Sequence, residues 1–276
     1  MQAAVRRPRR TAIRRLRRGV AGATMIELTA TGLAALRAHV EGEWPQEAGG
    51  LIMGGGFFAL PNRHPEPERG YEFHEEDLEG AAAIVHSHPD GAPFPSREDM
   101  ESQVAVGLPH GIVPMTRTSV GAAAADEERD VVAGEPFFWP DTDRPYVGRP
   151  YRHGVTDCFT LVRDWYRREC GVELPPVAYE WRWDETSPEL DLYSSWRRRL
   201  GWSAVDPSQA RPGDVVLLRM ASGSVADHAG VLLEDGLLLH HPSLKPYDPT
   251  SLSRRTPLSR LARRIVEVAR PVEASS

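Results

Sequence analysis

The hydrophobic positions of the first half of the chain follow two periodicities. Between residues 31 and 42, Leu33, Leu36 and Val40 recur at helical spacing, with Thr31 as a candidate N-cap. A second helix is predicted from Ser96 to Val106. Short apolar runs bounded by turn residues predict buried strands at 49–53, 81–88 and 111–115. The mixture is typical of a layered α/β domain.

The second half has its own pattern. Residues 157–170 are predicted to be helical, with Gly171 as the stop. An apolar run at 214–220 predicts a strand. Residues 228–241 predict two further strands around an Asp-Gly turn at 235–236, which is a strong hairpin signal. The chain as a whole is therefore expected to be α+β.

Four prolines fall between residues 134 and 150 and disfavour a regular helix or a central strand there. We therefore predict a Pro-rich linker at 134–145, which separates a domain at 25–133 from a domain at 146–276. Each is expected to fold on its own.

Charge is unevenly placed along the chain. Residues 1–24 carry eight arginines and no acid, so 25 basic residues face 39 acidic ones in the remainder. This acidic body argues against a nucleic-acid-binding surface. The arginine run lacks the apolar core of a signal peptide and is interpreted as a disordered extension or a misassigned start, with a basic arm as the alternative. Two cysteines give no disulfide framework, and no apolar run is long enough to span a membrane.

Two histidines at the end of the predicted strand 81–88 indicate a metal site. His86 and His88 are separated by one residue and so point to the same side of a strand. Asp99, in the following helix, can supply a third ligand and leave a fourth position for water, as in catalytic zinc sites. Glu47 is a candidate proton carrier and Ser96 a candidate oxyanion donor. The competing interpretation is that Ser96 and Asp99 only form a helix capping box.

The segment His86–Asp99 reads HSHPDGAPFPSRED, and residues 45–55 read PQEAGGLIMGG. Both resemble the JAMM (MPN/JAB) metallopeptidase motif across residues 25–133. The resemblance implies a cytidine-deaminase-like α/β fold and one zinc held by His86, His88 and Asp99. It also implies proton shuttling by Glu47 and oxyanion support by Ser96.

A thiol nucleophile is predicted in the second half. Cys158 opens the helix at 157–170, where the helix dipole is expected to lower the thiol pKa, whereas Cys170 lies at the helix end. Alkylation is therefore expected at Cys158 before Cys170. His228 opens one strand of the predicted hairpin and His240 ends the other, so the two rings can meet as a base and its orienting partner. The competing interpretation of Cys158 is a small core residue.

This half is similar to the NlpC-type cysteine peptidases, which have a papain-like core and act on cell-wall peptides. The similarity rests on GRPYRHGVTDCFTLV, RPGDVVLL, DHAGVLL and LLLHHPS, in that order. It implies a Cys158–His228–His240 triad and an active-site tyrosine at Tyr151, with Tyr146 as the alternative. The family's Cys-Ser-Gly is Cys158-Phe159-Thr160 here, which leaves the substrate preference open.

The fusion of the two kinds of domain resembles the K-type tail tip assembly proteins of lambda-like phages. It implies a phage or prophage protein, made in the host cytoplasm and acting in or on the tail, with tail tip proteins as partners. Peptidoglycan peptides or a tail protein are the expected substrates. A non-catalytic assembly factor and a bacterial isopeptidase for ubiquitin-like modifiers are the alternatives.

Overall fold

The computed structural model describes residues 26–118, 131–140, 144–186, 191–221 and 223–271. The arginine-rich segment 1–24 lies outside them. The first half comprises α1 (Ala30–Gly42), β1 (Gly49–Met53), β2 (Gly56–Leu60), β3 (Ala83–His88), α2 (Arg97–Val106), β4 (His110–Arg117), β5 (Val131–Ala133) and β6 (Phe137–Trp139). Helix α1 begins one residue earlier than the predicted 31, because the Thr29 hydroxyl, not that of Thr31, accepts from the Gly32 amide.

These strands form one mixed sheet in the order β2-β1-β3-β4-β5, with β6 also paired to β4. Strands β3 and β4 are parallel, and α2 is the crossover between them. Helix α1 packs its buried Leu36 and Val40 against Val85 and Val113. Alternation along β3 therefore sends Ala83 and Val85 toward α1, and His86 and His88 toward the opposite face.

The predicted linker at 134–145 is wrong in part. Phe137 and Trp139 are buried, and β6 pairs with β4 through His110 and Ile112. Pro136 and Pro140 flank the strand, and an edge strand needs backbone hydrogen bonds on only one side, so both prolines are tolerated. The first domain consequently extends at least to Trp139.

The second half comprises β7 (Pro150–Arg152), α3 (Cys158–Trp165), α4 (Trp183–Thr186), α5 (Leu192–Arg199), β8 (Ser203–Val205), β9 (Val215–Leu218), β10 (His228–Leu232), β11 (Leu237–His240), β12 (Tyr247–Leu252), β13 (Arg254–Pro257) and β14 (Ile265–Arg270). Its main sheet has the order β13-β11-β10-β9-β14-β8 and is antiparallel, while β7 pairs with β12. A π-helical turn extends α3 to Cys170, and Gly171 ends it in the left-handed conformation, as predicted.

Helix α3 packs on the sheet through Phe159, Val162 and Tyr166, which share a core with Leu217 and Val231. This packing places the first residue of α3 beside the start of β10. None of the helices in the described ranges is long and apolar enough to cross a membrane.

Candidate active sites

The first site lies where β3 ends and α2 begins. The side chains of His86 and His88 project from the end of β3 on the face away from α1, and both are buried. Strand β1 approaches closely at this point because Gly49 has no side chain: a Cβ there would lie 2.9 Å from that of His86. Asp99, in the first turn of α2, faces the two imidazoles.

The structure brings the three predicted ligands together. Asp99 Oδ1 lies 3.1 Å from His86 Nε2, and Asp99 Oδ2 lies 3.2 Å from His88 Nε2. Ligand atoms of the three residues all lie within 4.8 Å of one another. Tetrahedral zinc with nitrogen and oxygen ligands places neighbouring ligand atoms about 3.3 Å apart. The spacing therefore fits a zinc ion.

The state of the ring nitrogens also fits a metal. His88 Nδ1 lies 3.1 Å from the Ala92 carbonyl oxygen, which can only accept, so Nδ1 donates, and in the neutral imidazole Nε2 keeps its lone pair for a metal. His86 Nε2 is buried and has no well-directed hydrogen bond among the described residues, although Asp99 Oδ1 is 3.1 Å away. A cation between these atoms would satisfy all three side chains.

Glu47 stands beside the three ligands. Its Oε2 lies 4.0 Å from His86 Nε2, and its side chain is only 12% exposed. Burial raises the pKa of Glu47 against the opposing influence of His86 and His88. A carboxyl group with a raised pKa is suited to taking up and returning a proton near neutral pH. The position predicted for a proton carrier is thus filled by a group of the right kind.

Ser96 is the N-cap of α2 and forms a capping box with Asp99. The Ser96 amide donates to Asp99 Oδ2 at 2.7 Å, and the Ser96 hydroxyl donates to the same oxygen at 2.8 Å. The capping role is therefore present together with the cluster, and is not an alternative to it. For the hydroxyl to act as an oxyanion donor, it would have to turn away from Asp99.

Two residues of this site were missed in the sequence because they lie in a loop without a recognisable motif. The Tyr71 ring stacks on His86 with centroids 5.6 Å apart and planes 4° from parallel. The Asn62 amide donates to the carbonyls of Glu47 at 2.9 Å and Gly70 at 2.8 Å. Asn62 thereby ties the loop that carries Tyr71 to the backbone of Glu47.

The second site lies at the start of α3. Asp157 caps this helix by accepting from the Thr160 amide at 2.9 Å, which makes Cys158 the first helical residue. The Cys158 Sγ lies 3.2 Å from the Tyr193 hydroxyl oxygen, and the nearby Ala229 amide lowers the pKa of the thiol. Because Ala229 follows His228 in β10, the thiol lies at the strand end that carries the predicted base.

The two predicted histidines are in contact. His228 Nε2 lies 3.0 Å from His240 Nδ1, and His240 Nε2 lies 2.8 Å from the Thr256 hydroxyl. Gly230 stands opposite His240 in the hairpin register, and a Cβ there would lie 3.0 Å from that of His240. Thr256, His240 and His228 thus form a hydrogen-bonded row, in which Thr256 was not predicted. His228 directly precedes Ala229, whose amide acts on the Cys158 thiol.

The expected lowering of the Cys158 pKa is wrong for the resting protein. Burial raises the pKa of this thiol to about 12, and the neighbouring Asp157 carboxylate adds to the effect. Burial likewise lowers the pKa of His228, with smaller contributions from His240, His241 and Arg254. Removal from water disfavours the charged form of each group, so both the thiol and the imidazole are shifted toward their neutral forms.

The expected order of alkylation of the two cysteines changes as well. Cys158 is buried and Cys170 is exposed, so access favours Cys170 in the resting protein. Helix position alone does not decide thiol reactivity.

The two candidate tyrosines, Tyr151 and Tyr146, lie in different environments. Tyr151 is buried, its ring centroid lies 5.0 Å from that of His241, and its pKa is raised by burial and further by its neighbours Asp157 and Cys158. The Tyr146 hydroxyl instead donates to Glu169 at 2.8 Å on the surface. Tyr193, whose oxygen lies 3.2 Å from the Cys158 sulfur, comes from α5 and was not predicted. Of the two candidates taken from the sequence, Tyr151 is therefore the one near the thiol.

Comparison with known proteins agrees with this division. Residues 29–128 match the prokaryotic homologues of the JAB domain, and residues 148–262 match the NlpC/P60 family. The fold and the two clusters thus define a two-domain protein in which a JAB-type domain precedes an NlpC/P60 domain.

Two proteins share most of this arrangement. Tail tip assembly protein K of Escherichia phage lambda is 36% identical over 63% of this chain and 72% of its own length. Tail tip assembly protein K of Escherichia phage N15 is 29% identical over 75% of this chain and 82% of its own length. The chain belongs to the tail tip assembly protein K family. The crystal structure of the NlpC/p60 domain of the peptidoglycan hydrolase SagA is 19% identical, covers 45% of this chain and 88% of that chain, and has a TM-score of 0.30.

Proposed function

We propose that this chain is a phage or prophage tail tip assembly protein that also cleaves peptide bonds, with one peptidase site in each domain. Its place in the tail is inferred from the names of the two related phage proteins. Tail tip proteins are its expected partners, and peptides of the cell wall or of a tail protein are its expected substrates. The observation that carries the catalytic part is the row of hydrogen bonds from Thr256 through His240 to His228, at the strand end where the Ala229 amide acts on the buried Cys158 thiol.

The chemistry at Cys158 follows from this arrangement. The Sγ proton passes to His228, and the sulfur attacks the carbonyl carbon of the scissile bond. His228 then returns the proton to the leaving amine, and water releases the acyl group from sulfur. His240 holds the His228 ring in place while its charge changes. Hydroxyls near the thiol, those of Tyr193 and Tyr151, are the candidate donors to the oxyanion.

The first domain is proposed to be a zinc peptidase. His86, His88 and Asp99 would hold the ion, which lowers the pKa of a coordinated water and polarises a carbonyl. Glu47 would accept a proton and pass it to the leaving amine. Ser96 is the candidate for contacting the carbonyl oxygen once its hydroxyl turns from Asp99.

Digestion with product analysis tests the proposal. Purified peptidoglycan and purified tail proteins are incubated with the zinc-loaded protein and with its Cys158→Ala and Glu47→Gln variants, and new termini are identified by mass spectrometry. We expect products that disappear with Cys158→Ala, and a separate set that disappears with Glu47→Gln. Absence of any new terminus would favour a non-catalytic assembly factor.

A further inference from the structure

The segment just before the candidate nucleophile is in contact with the other domain. We call residues 152–155 the strap. The Arg152 guanidinium carbon lies 3.6 Å from the centroid of the Phe137 ring in β6. The His153 ring meets that of Phe94 edge to face, with centroids 6.2 Å apart. Phe94 belongs to the loop between His88 and α2.

Gly154 makes the closest approach. Its φ is +70°, and a Cβ at this position would lie 2.8 Å from Met100 Cε and 3.1 Å from Pro95 Cγ. Met100 is buried in the first half of α2. Any residue with a side chain would be strained in φ, and its Cβ would displace the end of the Met100 side chain. The next residue, Val155, is buried in a cluster with Ile112, Phe137 and Trp139 of the first domain.

The opposite side of the strap is bonded to the start of α3. The Gly154 amide donates to Asp157 Oδ2 at 2.7 Å, and the Tyr179 hydroxyl donates to the same oxygen. The other oxygen, Asp157 Oδ1, caps α3. Gly154 therefore touches Met100 on one side and, through Asp157, fixes the helix turn that begins with Cys158 on the other.

We infer that the first domain positions the candidate nucleophile of the second, with Phe94 and Met100 acting as positioning residues through the strap. The inference rests on the proposed role of Cys158. When the strap loosens, Asp157 loses a backbone donor, the first turn of α3 frays, and the thiol is exposed to water. Thiolate then forms more readily, but the alignment with His228 that cleavage requires is lost.

Alkylation of the full-length protein tests this coupling. Iodoacetamide labelling of Cys158 and Cys170 is followed by peptide mass spectrometry in the wild type, Phe94→Ala and Met100→Ala, with Val104→Ala on the exposed side of α2 as control. Phe94→Ala and Met100→Ala are both expected to label Cys158 about tenfold faster, the effect of a one-unit fall in thiol pKa. Cys170 labelling is expected to stay unchanged, and peptidoglycan cleavage to fall.

Two further variants make the result specific. Met100→Leu keeps the volume and should retain the wild-type labelling ratio. Arg152→Gln leaves both cores intact and should raise the ratio as Phe94→Ala does, which keeps the test decisive if Met100→Ala is unstable. An unchanged ratio of Cys158 to Cys170 labelling in Phe94→Ala and Arg152→Gln, or an equal rise in Val104→Ala, would overturn the inference. Failure of the proposed peptidase would show differently, as cleavage that survives Cys158→Ala.

Discussion

Replacing Tyr193 by Phe removes a single hydroxyl from beside the candidate nucleophile. The Tyr193 ring is buried among Cys158, Phe159 and Trp183, and Phe keeps that packing. The lost oxygen lies 3.2 Å from the sulfur, and its hydrogen bond lowers the thiol pKa against the larger opposing effect of burial. We therefore expect the variant to fold normally and to hold a less reactive thiol.

The size of the effect follows from the hydrogen bond. A hydrogen bond to a charged group contributes about 1.5–3 kcal/mol. One pKa unit corresponds to about 1.4 kcal/mol, so the Cys158 pKa should rise by roughly one to two units above its resting value. At a fixed pH well below that pKa, the thiolate fraction and the alkylation rate should fall about 10- to 100-fold.

The assay is the alkylation rate of Cys158 between pH 7 and 9, measured with Cys170 of the same molecule as internal reference. Tyr146→Phe is the matched control, since that hydroxyl bonds Glu169 on the surface and should leave the Cys158 rate unchanged. A Tyr193→Phe protein that alkylates Cys158 at the wild-type rate or faster would refute the assigned contact.

Three further outcomes follow from the two sites. His228→Ala should slow both alkylation of Cys158 and peptide cleavage, because the group that takes the thiol proton is gone. His240→Ala should slow both reactions less, and Thr256→Val least. The reverse order of these effects in rate assays would argue against the hydrogen-bonded row. Metal analysis should find about one zinc per chain, which His88→Ala abolishes; full retention of zinc in that variant would exclude the site. Glu47→Gln should keep the zinc and lose the cleavage that depends on the first domain, whereas unchanged cleavage would remove Glu47 from the mechanism.

The sequence was sufficient wherever function follows from local spacing. His86 and His88 lie on one side of a strand whatever the rest of the fold does, and a capped helix start three residues before Asp99 fixes where its carboxylate points. The hairpin that joins His228 to His240 was likewise readable from an Asp-Gly turn between two apolar runs. Thus the clusters could be predicted without knowing how the domains pack.

Contacts between distant segments could not be predicted. Tyr193 reaches Cys158 from a helix 35 residues away, in a stretch whose Trp and Arg content carries no motif. Thr256 reaches His240 only because β13 pairs with β11. The sign of the Cys158 pKa shift was missed for the same reason, since burial is a property of tertiary packing whereas the helix dipole is visible in the sequence.

The Pro-rich segment shows a different limit of prediction from sequence. Pro136 and Pro140 disfavour a central strand, but they permit an edge strand of three residues between them. Phe137 and Trp139 alternate with Phe138 and bury two large side chains, which stabilises that strand against β4. The strand in turn gives Arg152 its contact with Phe137, so the missed element is also the one that brings the two domains together.

Peptide cleavage by the second domain should depend on Cys158, and the two cysteines of the chain allow a matched test. The rate of peptidoglycan cleavage is measured for the wild type, Cys158→Ala and Cys170→Ala, each checked for an unchanged thermal transition and zinc content. Cleavage is expected to fall to background in Cys158→Ala and to persist at the wild-type rate in Cys170→Ala. Equal cleavage by both variants and the wild type would contradict this expectation.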